Sequence, residues 1–131
     1  MIRFIRKYYP SILIAILIMW LSLSESGTIK PIKLMDFPNS DKVAHFSIYL
    51  FFTFIMLLNS SYWKISGRIK YFIIIIPTLL GLLLEIFQRL LTKTRQADFY
   101  DFLANFSGIA LAAIFVFILS RLFKPKQALD N

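Results

Sequence analysis

The chain has 131 residues, 58% of them hydrophobic, with a formal net charge of +8, whereas a soluble domain holds about 45–50% apolar residues. It contains no cysteine and a single histidine, which excludes disulfides, thiolate chemistry, iron–sulfur clusters and any multi-histidine metal site within one chain. The basic residues lie in small groups between apolar runs, a distribution that argues for membrane topology and against nucleic acid.

The first apolar segment spans residues 8–24, with Arg3, Arg6 and Lys7 ahead of it. Its length stands at the short edge of the roughly 17–25 residues that cross a bilayer. Ser22 to Ser24 also reads as a small-x-small cleavage site after a basic start, but three further apolar segments follow, and the favoured reading keeps the first as their neighbour. A loop with Gly27, Pro31, Pro38 and Asn39 as breakers comes next. The second segment covers 41–59, with Asn39 or Ser40 as its cap and Asp41 at the positive end of the helix dipole.

A short basic connection carrying Lys64, Arg68 and Lys70 leads to the third segment, 71–91, which contains Pro77 and, one turn on, Gly81. Proline removes a backbone donor there, and glycine permits close approach of a neighbouring helix. After a polar loop with Lys93 and Arg95, the fourth segment runs over 98–122 and stops before Lys124 and Pro125. The predicted fold is all-α: four transmembrane helices in a single domain, 1–131. Nine lysines and arginines fall on the side of the two termini and the middle loop, against six on the other side. The positive-inside rule therefore predicts that both termini are cytoplasmic.

Three of these segments carry polar stripes. Asp98, Asp101, Asn105, Gly108 and Ala112 are spaced 3, 4, 3 and 4 apart, so they share one face of a helix whose other faces are apolar. Gly81, Glu85 and Gln88 repeat the pattern on the third segment, and Asp41, His45 and Tyr49 on the second. A charge at the centre of a spanning helix costs about 2.5–3.5 kcal/mol, so Glu85 must face a partner or water. Lys42, Arg89 and Arg95 are the cations within reach along the sequence.

The functional reading gathers Asp41, His45, Glu85, Gln88, Asp98, Asp101 and Asn105 around a pocket that opens outward. Crowded carboxylates repel one another, so one of Glu85, Asp98 and Asp101 can hold a proton and act as general acid or base, with His45 as base and Arg89 or Arg95 holding an anion. No cofactor is expected, although one imidazole and several carboxylates can also bind a divalent metal. The competing reading is structural. Polar contacts hold membrane bundles together at about 0.6 kcal/mol each, and acids in a first turn compensate the helix dipole.

The pattern resembles the VanZ-like family of small bacterial membrane proteins. The matching pieces are Ser40, Asp41, Lys42, His45, Phe46 and Tyr49, then Gly81, Glu85 and Gln88, then Arg95, Asp98, Asp101, Asn105 and Gly108. They occur in order over residues 40–108, about half the chain. The resemblance implies a multi-pass protein of the bacterial cytoplasmic membrane, associated with resistance to the glycopeptide teicoplanin. It also implies a ligand site at Asp41, Lys42, His45, Glu85, Gln88, Arg95, Asp98, Asp101 and Asn105. Three functions are then in competition: binding a lipid-linked envelope precursor or glycopeptide, an intramembrane enzyme acting on an anionic lipid headgroup, and a structural subunit of a larger complex.

Overall fold

The computed structural model describes residues 2–24, 37–59, 67–93 and 98–122. Its order is α1 (Ile2–Leu23), α2 (Ser40–Asn59), α3 (Gly67–Leu91) and α4 (Phe99–Leu122), with no strand among the described residues. Three stretches are long and apolar enough to cross a membrane: Ser40–Asn59, Ile73–Leu91 and Phe99–Leu119. The apolar part of α1, Tyr8–Leu23, is shorter; at 1.5 Å per residue it reaches about 24 Å, against a hydrocarbon core of about 30 Å.

Both α1 and α3 begin earlier than the apolar runs predict, at Ile2 and Gly67. Hydropathy marks where an apolar surface starts, and a helix can extend past it into polar surroundings. Pro10 and Pro77 both lie inside helices, where neither can bond the carbonyl four residues back. Pro77 is fully buried, and Thr78 Oγ1 donates to the Ile74 carbonyl at 2.9 Å just beside it.

Each start that positions the site has a local cause. Ahead of α2, Asn39 takes φ 63°, a left-handed conformation that asparagine tolerates better than most residues. Its carbonyl accepts from Lys42 N at 3.1 Å and Val43 N at 3.2 Å. Asp98 caps α4: Tyr100 N donates to its Oδ1 at 2.8 Å, while its carbonyl accepts from the Asp101 and Phe102 amides.

The most extensive packing is between α2 and α4. One core cluster draws on all four helices, with Ile18, Tyr49, Phe52, Leu84 and Ile109, and a second joins Leu57, Ile73 and Val116. Polar bonds tie α1 to the others, among them Asn59 Nδ2 to Ser11 Oγ at 3.0 Å and Gln88 Nε2 to the Ser22 carbonyl at 2.9 Å. Leu13, Trp20, Leu79, Leu83, Ile114 and Phe115 face outward, whereas Glu85, Gln88, Asp101 and Asn105 are buried. Polar groups inside and large apolar groups outside is the distribution that suits lipid as the surrounding solvent.

Candidate functional site

The predicted stripes converge. On α4, Asp101, Asn105, Gly108 and Ala112 are all buried, as are Gly81, Glu85 and Gln88 on α3. On α2 the inward face is carried by Lys42, His45 and Tyr49, and it continues one turn deeper to Thr53, which is fully buried. Asp41 stands at the rim, with 58% of its side chain exposed.

Lys42 is the hub of the polar cluster. Its ammonium donates to Asp98 Oδ2 at 2.8 Å, Asp101 Oδ1 at 2.9 Å and Asp41 Oδ2 at 3.0 Å. These three bonds use all three donors of the ammonium and pin the start of α2 to the start of α4. One turn deeper, His45 Nδ1 lies 3.0 Å from Asn105 Oδ1. Nδ1 therefore donates to the amide oxygen, and in the neutral ring the lone pair falls on Nε2. That Nε2 lies 3.9 Å from Asp101 Oδ2.

Glu85 completes the group from α3. One carboxylate oxygen of Glu85, one of Asp101 and one ring nitrogen of His45 lie within 4.8 Å of one another. Glu85 is only 5% exposed, and its Oε2 has no hydrogen-bond partner. Lys42, the expected neighbour, spends its bonds on the three aspartates. Gln88, one turn along from Glu85, donates to the end of α1. Arg95 lies outside the described residues.

Beside this cluster a cleft of about 550 Å³ is lined by residues of α3 and α4 together with Asp98. Leu82, Ile86, Leu90, Phe99 and Phe102 form its apolar walls, and Glu85, Arg89 and Asp98 supply its charges. Phe99 and Phe102 lie on the apolar faces of the fourth segment, beside the polar stripe. The available signal was the spacing of Leu82, Ile86, Arg89 and Leu90, which puts them on a face adjoining Glu85.

The Lys42 ammonium, and after it the Tyr100 N–H, hold the Asp98 carboxyl below the usual aspartate range. Because the folded value is the lower one, this contact stabilises the fold above the unfolded aspartate value of about 3.9. That stabilisation is lost as the pH falls through the folded value. Thermal unfolding in micelles, followed by circular dichroism between neutral and strongly acidic pH, is expected to show a smaller acid-induced loss in Asp98→Asn than in wild type. Equal losses would mean that the pair does not contribute.

The class these features define is an all-helical chain with three helices long and apolar enough to cross a bilayer, enclosing a lysine-centred polar cluster. No protein-family model, curated protein or solved structure matches the chain, so its likeness to VanZ-like proteins rests on the motif residues alone.

Proposed function

We propose that the chain is a VanZ-like protein of the bacterial cytoplasmic membrane, with four crossing helices, both termini cytoplasmic and the polar cluster near the outer leaflet. In this reading it binds an amphiphile, a lipid-linked envelope precursor or a lipoglycopeptide of the teicoplanin type, and thereby protects the envelope. The observation that carries the proposal is the cleft between α3 and α4, with five apolar wall residues and Glu85, Arg89 and Asp98 along it. Apolar walls suit an acyl or prenyl chain, and a guanidinium suits a phosphate or carboxylate head. The partners are then the bilayer and its own amphiphiles.

A second reading, an enzyme acting on an anionic lipid headgroup, is favoured by one observation. The buried Glu85 carboxylate faces a histidine whose tautomer is fixed by Asn105, an arrangement suited to proton transfer.

Native mass spectrometry of the chain in nanodiscs, titrated with a polyprenyl phosphate, separates these readings from a purely structural role. Wild type is expected to retain the lipid. Ile86→Trp, which fills the cleft, and Arg89→Gln, which removes the cation, are each expected to weaken retention by about tenfold, or about 1.4 kcal/mol. Conversion of the lipid to a new mass would favour the enzyme. Equal retention by all three proteins would remove the cleft as the binding site.

A further inference from the structure

We propose that His45 Nε2, Asp101 Oδ2 and a Glu85 carboxylate oxygen form a binding site for one divalent transition ion of the Mn²⁺ or Zn²⁺ type. The inference stands apart from the amphiphile reading, since it needs neither the cleft nor a lipid.

Three independent features point to it. The first is position: one ring nitrogen of His45, one oxygen of Asp101 and one of Glu85 come from three different helices and lie within 4.8 Å of one another. Around Zn²⁺, with bonds of about 2.0–2.2 Å, tetrahedral ligand atoms stand about 3.3–3.6 Å apart, so each atom has to move inward by less than about 1 Å. The His45 to Asp101 separation, at 3.9 Å, is already close to that spacing.

The second is the state of each donor. A histidine that binds a metal usually donates its other N–H to an oxygen, which fixes the ring and the tautomer. Asn105 Oδ1 does this for His45 at 3.0 Å, leaving the Nε2 lone pair toward Asp101. Lys42 takes Asp101 Oδ1 and leaves Oδ2 as the available oxygen.

The third is Glu85 itself, 95% buried with its Oε2 unpartnered. A buried carboxylate oxygen left without a hydrogen-bond donor is costly. Lys42 does not relieve it, since its three hydrogen bonds all go to aspartates. A cation bridging Glu85 to Asp101 would satisfy it. Three aspartates already share the Lys42 ammonium, so an ionised Glu85 beside Asp101 needs a further cation, which a divalent ion supplies.

The donor set selects the class of ion. One imidazole and two carboxylates are too few and too nitrogen-rich for the all-oxygen shells of Ca²⁺ and Mg²⁺, and too hard for Cu⁺. Three protein ligands leave positions for water or for a ligand oxygen.

The test uses the full chain in nanodiscs, stripped with EDTA and equilibrated with Mn²⁺ alone. Wild type is expected to take up one Mn²⁺ per chain, with pulsed electron paramagnetic resonance showing coupling to a single imidazole nitrogen. As the chain has one histidine, that signal can come only from His45. Glu85→Gln keeps the side-chain shape, and its affinity is expected to fall by at least the about 10- to 100-fold that loss of an outer-shell partner costs. Ser107→Ala, at an exposed position of α4 outside the triad, is expected to bind as wild type does. Absence of saturable uptake, absence of nitrogen coupling in wild type, or equal affinity in Glu85→Gln and Ser107→Ala would indicate an adventitious ion only and overturn the proposal. The wild-type spectrum decides by itself, so a variant that fails to assemble does not spare the proposal.

Discussion

Gly108→Ala is expected to destabilise the folded chain by about 3 kcal/mol, the upper end of what overpacking costs, and Gly108→Leu to prevent assembly. A Cβ at this position would collide with the Phe46 carbonyl oxygen and stand 2.9 Å from Leu50 N and 3.2 Å from the Phe46 carbonyl carbon. These are backbone atoms of α2, so no rotamer change relieves the contact, and the two helix axes have to separate. Since α2 and α4 form the most extensive helix pair, separation at Gly108 spreads along the interface. Its nearest casualty is the 3.0 Å bond between His45 and Asn105, one turn away. Gly81→Ala should be milder, because its Cβ would meet side-chain atoms, Asn105 Nδ2 and Tyr49 Cε1, both at 3.3 Å. Unfolding in detergent measures the first effect, and the nitrogen shifts of the sole histidine report the second. A Gly108→Ala chain as stable as wild type would mean that the helices do not approach as closely as the structure has them.

Gly108 illustrates which parts of the architecture are readable from residues. Its spacing from Asp101 and Asn105 placed it on an inward stripe, and burial of all three agrees. A helical period is a property of one segment, so it survives without knowledge of neighbours. The same holds for Gly81, Glu85 and Gln88. What depends on two segments at once was not legible. Lys42 joins Asp98 and Asp101 across 56 and 59 positions, a contact set by the α2–α4 crossing and by the reach of a flexible side chain. Gln88 shares a face with Glu85, yet it bonds to α1, because that partner is a backbone carbonyl with no sequence signature. Phe99 and Phe102 line the cleft because α3 lies beside them, and apolarity alone does not distinguish that surface from lipid.

Lys42→Met is the complementary experiment, removing a charge where Gly108→Ala removes a fit. Methionine keeps the length and apolar character of the lysine stem while deleting the ammonium that joins three carboxylates. Breaking a fully buried pair costs about 3–5 kcal/mol, and an exposed pair contributes about 0.2–1 kcal/mol. With 26% of the Lys42 side chain and 12% of Asp101 exposed, the expected loss lies between those limits, at about 2 kcal/mol. Most of it should arise from Asp101. Asp98 and Asp41 are more open to water, at 38% and 58%, and their contacts should weaken as salt is added. A double-mutant cycle of Lys42→Met with Asp101→Asn is therefore expected to show strong coupling that persists in high salt, and the cycle with Asp41→Asn almost none. If the cycle with Asp101→Asn were additive, the 2.9 Å contact would carry no net energy, and the pairing of the α2 and α4 starts would rest on the Gly108 crossing alone. If coupling were strong, the ammonium would be what keeps Asp101 Oδ1 occupied and turns its second oxygen toward His45 and Glu85.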